Sequence, residues 1–488
     1  MTTVESIAPA ALIAIPALVA ALVAANHHRP NVREGVSIVG SVLLLVAVIT
    51  LFPSTLRGEH LDWVLLAPVE DIAIRLTVEP LGLLFATVAA VLWIPTTLYA
   101  IGYMRTNKEE HHTQFFFCFA VSIGAAMGIA LAGNLLTLFI FYEMLSLATF
   151  PLVTHKRTPE AVHGGRTYLA LLLSTSIGFF LPAIIITWQV SGTLEFQPGG
   201  VLQGKLDPVY LPWLVALFAF GIGKAALMPF HRWLPGAMVA PTPVSALLHA
   251  VAVVKAGVFT ITKVVVYVLG VDFLAETGAS EFIMWVAAAT LTFASIVAMQ
   301  QDNFKARLAY STVGQLSYVV LGAMLATAAG VAGAAMHIVM HAIGKITLFF
   351  CAGAIYVHAK KSKISELNGL GRQMPFTFGA FLVGALCIIG LPPLGGAWSK
   401  WFLITGSFDA GQWAMAAALI LSSLLNIAYL MPIVSNGFFR GPANAESQPI
   451  NDAPALMLIP LWTTAGLCVL AFLFGDAIYS FVQLIPLR

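Results

Sequence analysis

The chain has 488 residues, of which 59% are hydrophobic and only 9% are charged, and its mean hydropathy is +0.91. So much apolar surface excludes an ordinary soluble protein and is typical of a chain that lies mainly in lipid. The formal net charge of +2 gives no indication of nucleic acid as a partner.

Apolar stretches long enough to cross a bilayer recur almost from end to end. Roughly 20 apolar residues span a hydrocarbon core about 30 Å thick, and on this measure we predict about fourteen transmembrane helices. They lie near residues 10–25, 36–53, 80–102, 114–132, 134–153, 167–189, 209–230, 243–269, 281–299, 308–329, 331–357, 376–405, 412–438 and 456–483. The predicted fold class is an all-α polytopic membrane protein in the lipid bilayer.

The distribution of Lys and Arg predicts the topology. Numbering the loops alternately from the N-terminus puts fifteen of these residues on one side and four on the other. The positive-inside rule places the richer side in the cytoplasm, so we expect both termini on the outer side of a bacterial inner membrane. Residues 1–10 contain Glu5 but neither Lys nor Arg, so they lack the basic segment of a cleaved signal peptide and predict a retained helix.

Nothing in the sequence predicts a cofactor or a metal site. Cys118, Cys351, Cys387 and Cys468 are scattered singly through apolar stretches, without a CxxC pair. No Gly-rich phosphate loop or dinucleotide fingerprint precedes a predicted helix. We therefore expect no iron–sulfur, haem or zinc centre.

Five lysines lie in or at the ends of predicted helices, namely Lys224, Lys255, Lys263, Lys345 and Lys400. A charge at the bilayer centre costs at least about 2.5 kcal/mol, so such residues normally face an internal cavity and a partner. A lysine near a helix end can instead reach the headgroups, an alternative that stays open above all for Lys263. Lys224, Lys255 and Lys345 lie deeper and indicate a functional role.

Glu143 is the one acidic residue well inside a predicted helix, and it has no local counter-ion. We predict that Lys224 on another helix compensates its charge, and a lone protonated glutamate is the alternative. Glu79 and Asp476 lie close enough to helix ends to be ordinary interfacial residues.

His337, His341 and Lys345 are spaced four residues apart in MHIVMHAIGK and share one helix face. Histidine exchanges protons near neutral pH, so this stripe favours a proton path. The alternatives are a metal pair without an evident third ligand and a structural hydrogen-bonding role for one histidine. His249, six residues before Lys255, extends the same chemistry to another predicted helix.

Two predicted helices, the seventh and the twelfth, are interrupted in mid-run. GIGKAALMPFHRWLP places Lys224 shortly before Pro229. IIGLPPLGGAWSKWF places Pro392 and Pro393 before Lys400. Proline frees polar backbone groups, which are tolerated at membrane depth where they line a wet cavity. The odd interval between the breaks predicts inverted repeats around a binding site, and two incidental packing kinks are the alternative.

Residues 115–405 resemble the proton-conducting subunit family shared by respiratory complex I, membrane-bound hydrogenases and Mrp-type sodium/proton antiporters. Six motifs carry the resemblance in one order: NLLTLFIFYEMLSL, GKAALMPFHRWLP, APTPVSALLHAVAVVKAGVF, KARLAYSTVGQLSYVVLG, HIVMHAIGKITLFFCAGAIY and GLPPLGGAWSKWFLI. The family fold has fourteen helices with two inverted five-helix repeats and two discontinuous helices. It implies a division into 1–113 (helices 1–3), 114–269 (first repeat), 281–438 (second repeat) and 456–488 (helix 14).

The resemblance also implies roles for the matched residues. Glu143 and Lys224 would form the buried ion pair of the first half-channel, and Lys400 would occupy the exit of the second. The central hydrated axis would be carried by His249, Lys255, His337, His341 and Lys345. A lysine at position 400, where one complex I subunit has glutamate, makes the profile most similar to the D component of the Mrp antiporters. One departure is Gly236, where relatives often carry an aspartate after WLP.

The predicted function is a proton-translocating, or cation/proton-translocating, subunit of a complex whose partners are other membrane subunits. Whether sodium moves is left open. Three machines fit the sequence: an Mrp antiporter, a complex I-like or hydrogenase redox complex, and an energy-coupled inorganic-carbon uptake complex. A membrane scaffold that moves no ions is the alternative of another class, and a stand-alone solute carrier is less favoured because no pocket signature accompanies the titratable groups.

Overall fold

The computed structural model describes residues 2–69, 72–441 and 450–487. The helices of the first part are α1 Ala8–Ala25, α2 Pro30–Ile49, α3 Phe52–Leu56, α4 Pro80–Thr106, α5 His112–Ala130, α6 Leu135–Val153, α7 Pro159–Thr175, α8 Leu181–Ser191, α9 Leu211–Gly221, α10 Trp233–Gly236, α11 Thr242–Ala246, α12 Val253–Val264 and α13 Val271–Thr277. Those of the second part are α14 Glu281–Gln300, α15 Phe304–Met324, α16 Ala328–Ala359, α17 Leu370–Gln373, α18 Pro375–Ile389, α19 Gly396–Asp409, α20 Trp413–Phe439, α21 Ala455–Leu473 and α22 Gly475–Val482. Short π-helical segments are Ser176–Phe180, Leu247–Val251 and Val265–Leu269, and 3-10 turns are Gly223–Ala225, Ala237–Val239 and Ile364–Glu366.

Most of this structure is built to cross a membrane. Within the described ranges, ten helices are long and apolar enough to span a bilayer, or eleven if the bent pair Val253–Leu269 and Val271–Thr277 forms one span. Large apolar side chains such as Leu43 and Phe293 remain more than half exposed on their outer faces. Because such faces are stable only in lipid, the prediction of a multi-pass membrane protein is confirmed.

Helix α16 forms the centre of the bundle. The most apolar 18-residue window of this helix is completely buried. It packs against α15, α18, α19 and α21, and also against α4 and α12 of the first part. A helix that is hydrophobic all round belongs in a core, so the histidine stripe of α16 lies inside protein and not against lipid.

Two helices that carry candidate residues start at side-chain caps. Asn134 Oδ1 accepts the backbone N–H of Thr137 at 2.8 Å and fixes the start of α6. Thr327 Oγ1 accepts the backbone N–H of Gly330 at 3.1 Å and does the same for α16. These caps satisfy backbone donors that an apolar surrounding would otherwise leave unpaired.

The two predicted interruptions are present. Helix α9 ends at Gly221, and the chain continues through the 3-10 turn Gly223–Ala225 to α10. Helix α18 ends at Ile389, and α19 starts only at Gly396. The residue after α18, Gly390, has a φ of +89°, which lies in the left-handed region open to glycine.

The all-α expectation missed a small three-stranded sheet. Strand β2 (Glu59–Val69) pairs in parallel with β1 (Thr2–Glu5) and antiparallel with β3 (Ile72–Val78). The last two strands fall between the predicted helices 36–53 and 80–102. Long apolar runs revealed the helices, whereas β2 and β3 have only 11 and 7 residues, too few to contain an apolar run of bilayer length.

The sheet also locates the termini. Thr3 of β1 and Pro486 near the C-terminus line one cavity together with His60 and Arg75. Both ends of the described chain therefore lie on the same side of the bundle.

Candidate functional site

Lys224 lies in the break after α9 and is fully buried. Its Nζ donates hydrogen bonds to Tyr142 O at 2.8 Å and Ser146 Oγ at 2.6 Å, both on α6. The break leaves other backbone groups without helical partners, and side chains satisfy them. Lys224 N–H donates to Tyr142 Oη at 3.1 Å, and Trp233 Nε1 donates to Gly223 O at 3.0 Å. The interrupted backbone is thereby fixed around the ammonium group.

Glu143, one residue beyond Tyr142, does not contact Lys224 directly. Both of its carboxylate oxygens are buried and have no hydrogen-bond partner among the described residues, and no ion pair within 4.0 Å joins it to Lys224. The two groups are nonetheless near enough for an electrostatic interaction. The structure therefore holds the predicted pair in an open arrangement, because Lys224 is hydrogen-bonded to the neighbouring turn of α6.

Gly257 of α12 allows this close packing. A methyl group added at Gly257 would lie 2.3 Å from the carbonyl carbon of Lys224 and 2.4 Å from the nitrogen of Ala225. Both atoms are backbone, so the broken segment would have to move. The glycine thus places Lys224 against the helix that carries Lys255.

Gly257→Ala is expected to destabilise the protein by about 1–3 kcal/mol, the usual cost of overpacking a tight contact. Thermal unfolding of the purified protein in detergent measures the loss. The matched control is Gly466→Ala on α21, where an added methyl group meets nothing within 4 Å. Equal unfolding temperatures for the two variants would contradict the close approach.

Lys255 joins α12 to the central helix. Its Nζ lies in hydrogen-bond contact with His341 Nδ1 on α16. The His341 ring is parallel to that of His337, with centroids 5.9 Å apart and an interplanar angle of 2°. The prediction that the two histidines share one helix face is confirmed, and the structure adds Lys255 to them.

His337 has both ring nitrogens engaged. Nδ1 lies 2.9 Å from Ser399 Oγ on α19, and Nε2 lies 3.1 Å from Gln315 Oε1 on α15. These hydrogen bonds hold the ring between three helices and leave it no nitrogen for a metal ion. This arrangement speaks against a metal pair at His337, and it fits both the structural hydrogen-bonding role and proton exchange.

Lys400 lies just after the second break and is nearly buried. Its Nζ donates to Ile389 O and to Ser423 Oγ, each at 2.9 Å. Ile389 is the last residue of α18, so its carbonyl is one that the break has freed from helical pairing. The interrupted helix thus supplies one of the hydrogen-bond acceptors that hold the Lys400 ammonium group.

Asn426 of α20 connects Lys400 with two other polar groups. In the amide orientation that satisfies both of its atoms, Oδ1 accepts from Lys400 Nζ at 3.2 Å and from Gln315 Nε2 at 3.0 Å. The amide nitrogen donates to Tyr429 Oη at 2.7 Å. Because Gln315 also contacts His337, a polar chain runs from His337 to Lys400.

Lys345 reaches the same asparagine by another route. Its Nζ donates to Ser311 Oγ at 2.7 Å, and that hydroxyl lies 2.7 Å from Tyr429 Oη, which contacts Asn426. Lys345 and His337, two turns apart on α16, therefore converge on Lys400 through a single amide.

Lys263 does not extend to the headgroups. It is 1% exposed and forms an ion pair with Glu79, with 3.2 Å between Nζ and Oε1. Glu79 also caps α4, accepting the backbone N–H groups of Leu81 and Gly82 at 2.8 and 2.7 Å. The interpretation of Glu79 as an ordinary interfacial residue was wrong, because the sequence does not show that its partner lies on α12.

His249 belongs to the π-helical segment Leu247–Val251, and its side chain lies outside the part of the chain that the structure describes. Its predicted role stays a prediction. The remaining predicted residues form two clusters, one around Lys224 and one from Lys255 to Lys400.

Sequence reasoning missed the neutral members of the second cluster: Ser311, Gln315, Ser399, Asn426 and Tyr429. Ser311 and Gln315 are four residues apart in α15 and share a face, which is the signal that could have found them. Asn426 is a single amide in an apolar run and gives no such pattern.

The sequence model of the family described as "NADH:quinone oxidoreductase/Mrp antiporter, TM" matches residues 132–426, more than half of the chain. The chain belongs to this family. Within it, the NADH-quinone oxidoreductase subunit N of Desulforudis audaxviator is 30% identical over 97% of both chains. The Na(+)/H(+) antiporter subunit A1 of Staphylococcus aureus is 28% identical over 89% of this chain, which spans only 56% of that longer relative.

Two solved structures share the fold. A chain of the Mrp complex from a Dietzia species superposes with a TM-score of 0.86 at 22% identity, covering 98% of this chain and 96% of that one. A chain of the membrane-bound sulfane sulfur reductase, an archaeal respiratory membrane complex, gives a TM-score of 0.87 at 23% identity, covering 98% and 97%.

Proposed function

We propose that the chain is a proton-translocating membrane subunit of a multi-subunit complex. The observation that carries the proposal is the buried polar series from Lys255 through His341, His337, Gln315 and Asn426 to Lys400. Every step in it is a hydrogen bond except the one between the parallel histidine rings. Such a series is expensive to bury in lipid and is suited to passing protons between sites.

The first cluster would act as an electrostatic switch. Lys224 is held by Tyr142 and Ser146, and Glu143 remains unpaired nearby. When Glu143 closes onto Lys224, the ammonium form is stabilised; when the pair opens, the desolvated ammonium group gives up its proton more readily. A proton released there is passed toward Lys255, whose helix packs on the Lys224 backbone at Gly257.

The finer architecture is part of the proposal. We place about fourteen crossings in the chain, counting each interrupted helix as one, with inverted repeats at 114–269 and 281–438 flanked by 1–113 and 456–488. The prediction of inverted repeats is supported by the two helix breaks, because each places a buried lysine, Lys224 or Lys400, against a neighbouring helix. The excess of Lys and Arg on one side supports outer termini and a cytoplasmic location for the opposite loops.

The relatives support the assembly. Their names describe subunits of a quinone oxidoreductase and of a sodium/proton antiporter, and both solved neighbours are multi-subunit membrane complexes. We infer that other membrane subunits pack against this chain and couple its proton path to an energy source. The polypeptides that co-purify from native membranes will identify the machine, and a soluble redox arm, antiporter subunits or a zinc hydratase would each indicate a different one.

Glu143→Gln tests the switch. The amide keeps the volume but cannot carry the charge that Lys224 needs in the closed pair, so we expect proton transport by the complex to fall about tenfold or more. The measurement is the acidification of inverted membrane vesicles, followed with a pH-sensitive dye. Glu160→Gln, an exposed glutamate at the start of α7, is the matched control. Wild-type transport by an assembled Glu143→Gln complex would contradict the switch.

A further inference from the structure

A cavity of about 550 Å³ opens on the side of the bundle that holds both termini. Strands β2 and β3 and the segment after α8 wall it, and Lys263, Glu79 and Tyr267 form its buried end. No role in the proposed relay involves this cavity, which we call the outer vestibule.

The charges of the vestibule favour cations. Among the described residues that line it, Asp62, Glu79 and Glu195 are acidic, and Arg75 and Lys263 are basic. His60 also lines the space, where burial lowers the pKa of its imidazole, so this group adds no positive charge at neutral pH. The excess carboxylate attracts hydronium and metal cations from the outer solution.

The ammonium group of Lys263 occupies the innermost cation position. It lies 3.2 Å from Glu79 Oε1 and 3.4 Å from Ala130 O, with the rings of Phe196 and Phe259 centred 4.9 and 5.4 Å away. A carboxylate, a carbonyl and two aromatic faces are the groups that bind a cation. Since the protein fills this position with its own lysine, the vestibule suits exchange of a proton more than retention of a metal ion.

Glu79 is fixed and cannot swing away from Lys263. Its oxygens accept from two backbone N–H groups of α4, and Oε2 also accepts from Tyr267 Oη at 2.6 Å. Tyr267 belongs to the π-helical segment Val265–Leu269 that continues α12, and π-helical turns are frequent at functional sites. Lys263 is therefore the movable member of the cluster.

Lys263 also lies on the helix that carries the central relay. Lys255 and Lys263 are eight residues apart on α12, so they lie roughly on one face, about 12 Å apart along the axis. Phe259 stands midway on this face and packs on Phe85, with ring centroids 4.8 Å apart. The hydroxyl of Thr260 beside it is buried and has no hydrogen-bond partner among the described residues. An aromatic barrier thus separates the relay from the vestibule, and an unsatisfied polar atom adjoins the barrier.

We propose that the outer vestibule is a second proton port of this chain, distinct from the path that ends at Lys400. Lys263 ammonium first releases its proton to water in the vestibule and becomes neutral. Rotation of Phe259 then opens a water-filled step, in which Lys255 ammonium gives its proton to neutral Lys263 and so restores the ion pair with Glu79. This inference rests on the proposed function and adds to it where the first half of the chain exchanges protons with the outer side.

A side-specific block tests the port. The four cysteines are all buried, so Pro198→Cys, at an exposed residue of the vestibule wall, is open to a bulky membrane-impermeant thiol reagent. Modification from the outer side is expected to lower proton transport by the complete complex several-fold. Val209→Cys, which is 71% exposed further along the same connection to α9 and does not line the vestibule, is the matched control. Unchanged transport after modification at residue 198 overturns the port while leaving the function of the Lys400 path intact.

Phe259→Leu tests the barrier in the opposite direction. A smaller side chain should admit water between Lys255 and Lys263 and raise the passive proton leak of resting vesicles several-fold. In the double variant with Pro198→Cys, the thiol reagent is expected to abolish that leak. A leak of radioactive sodium ions without a leak of protons would overturn the proposal in favour of an alkali-cation site. A proton leak that the thiol reagent does not reduce would also overturn it.

Discussion

Lys255→Met is expected to reduce proton transport by about 100-fold or more, the scale on which loss of a proton-transfer group slows a reaction. Lys255 is the side chain that brings α12 into contact with His341, and its helix packs on the backbone of Lys224. Without its amine, protons leaving the first cluster have no titratable group to receive them at this crossing. Proton uptake by inverted vesicles containing the complete complex measures the effect.

Lys255→Arg separates proton transfer from fixed charge. Arginine keeps the positive charge but holds its proton at every physiological pH, so it is expected to fail as completely as methionine. Lys255→Met should not prevent folding, since replacing a buried charge by an apolar side chain of similar volume is often neutral or stabilising. Transport restored by arginine would show that Lys255 acts as a static charge and would contradict the relay.

The sequence predicted those parts of the structure that depend on local rules. Apolar runs of bilayer length located the helices, and a four-residue spacing placed His337 and His341 on one face. The breaks near Lys224 and Lys400 followed from proline chemistry, which acts on the adjacent turn. In each case the cause lies within a few residues of the effect.

The partners of the charged groups could not be predicted in the same way. Glu79 and Lys263 are 184 positions apart, and their contact depends on how α4 and α12 pack. Asn426 and Gln315 are neutral, so neither carries an insertion cost large enough to mark it in the sequence. Lys224 illustrates the same limit. Its ammonium group donates to Tyr142 O and Ser146 Oγ of α6 and not to the predicted partner Glu143.

The geometry also gives a reason for the proposed relay to change direction at the middle of the bundle. Helix α16 is buried on all sides and presents His337, His341 and Lys345 to helices from both parts of the chain. Its two ends contribute no charged residue to the series. In the proposed relay, protons therefore cross between the two parts at α16, and the two breaks supply polar backbone where the proposed path approaches solvent.

Two hydrogen-bonded series, one from His337 and one from Lys345, meet at Asn426, which contacts Lys400. Lys400→Met is expected to lower transport by about 100-fold, because the series from His337 and the series from Lys345 both end at its amine. Asn426→Leu removes the contacts that feed Lys400 but leaves its bonds to Ile389 and Ser423, so we expect a smaller loss of about tenfold. Vesicle acidification gives both values.

The double variant decides whether the two residues act in series. Steps on one path are not additive, so Asn426→Leu combined with Lys400→Met should transport no worse than Lys400→Met alone. Asn436→Leu, on the same helix and without a side-chain hydrogen bond among the described residues, is the control for packing. If the two losses of transport multiply in the double variant, Asn426 serves a route that bypasses Lys400. Lys400 would then be one proton exit among several and not the common end of the two routes.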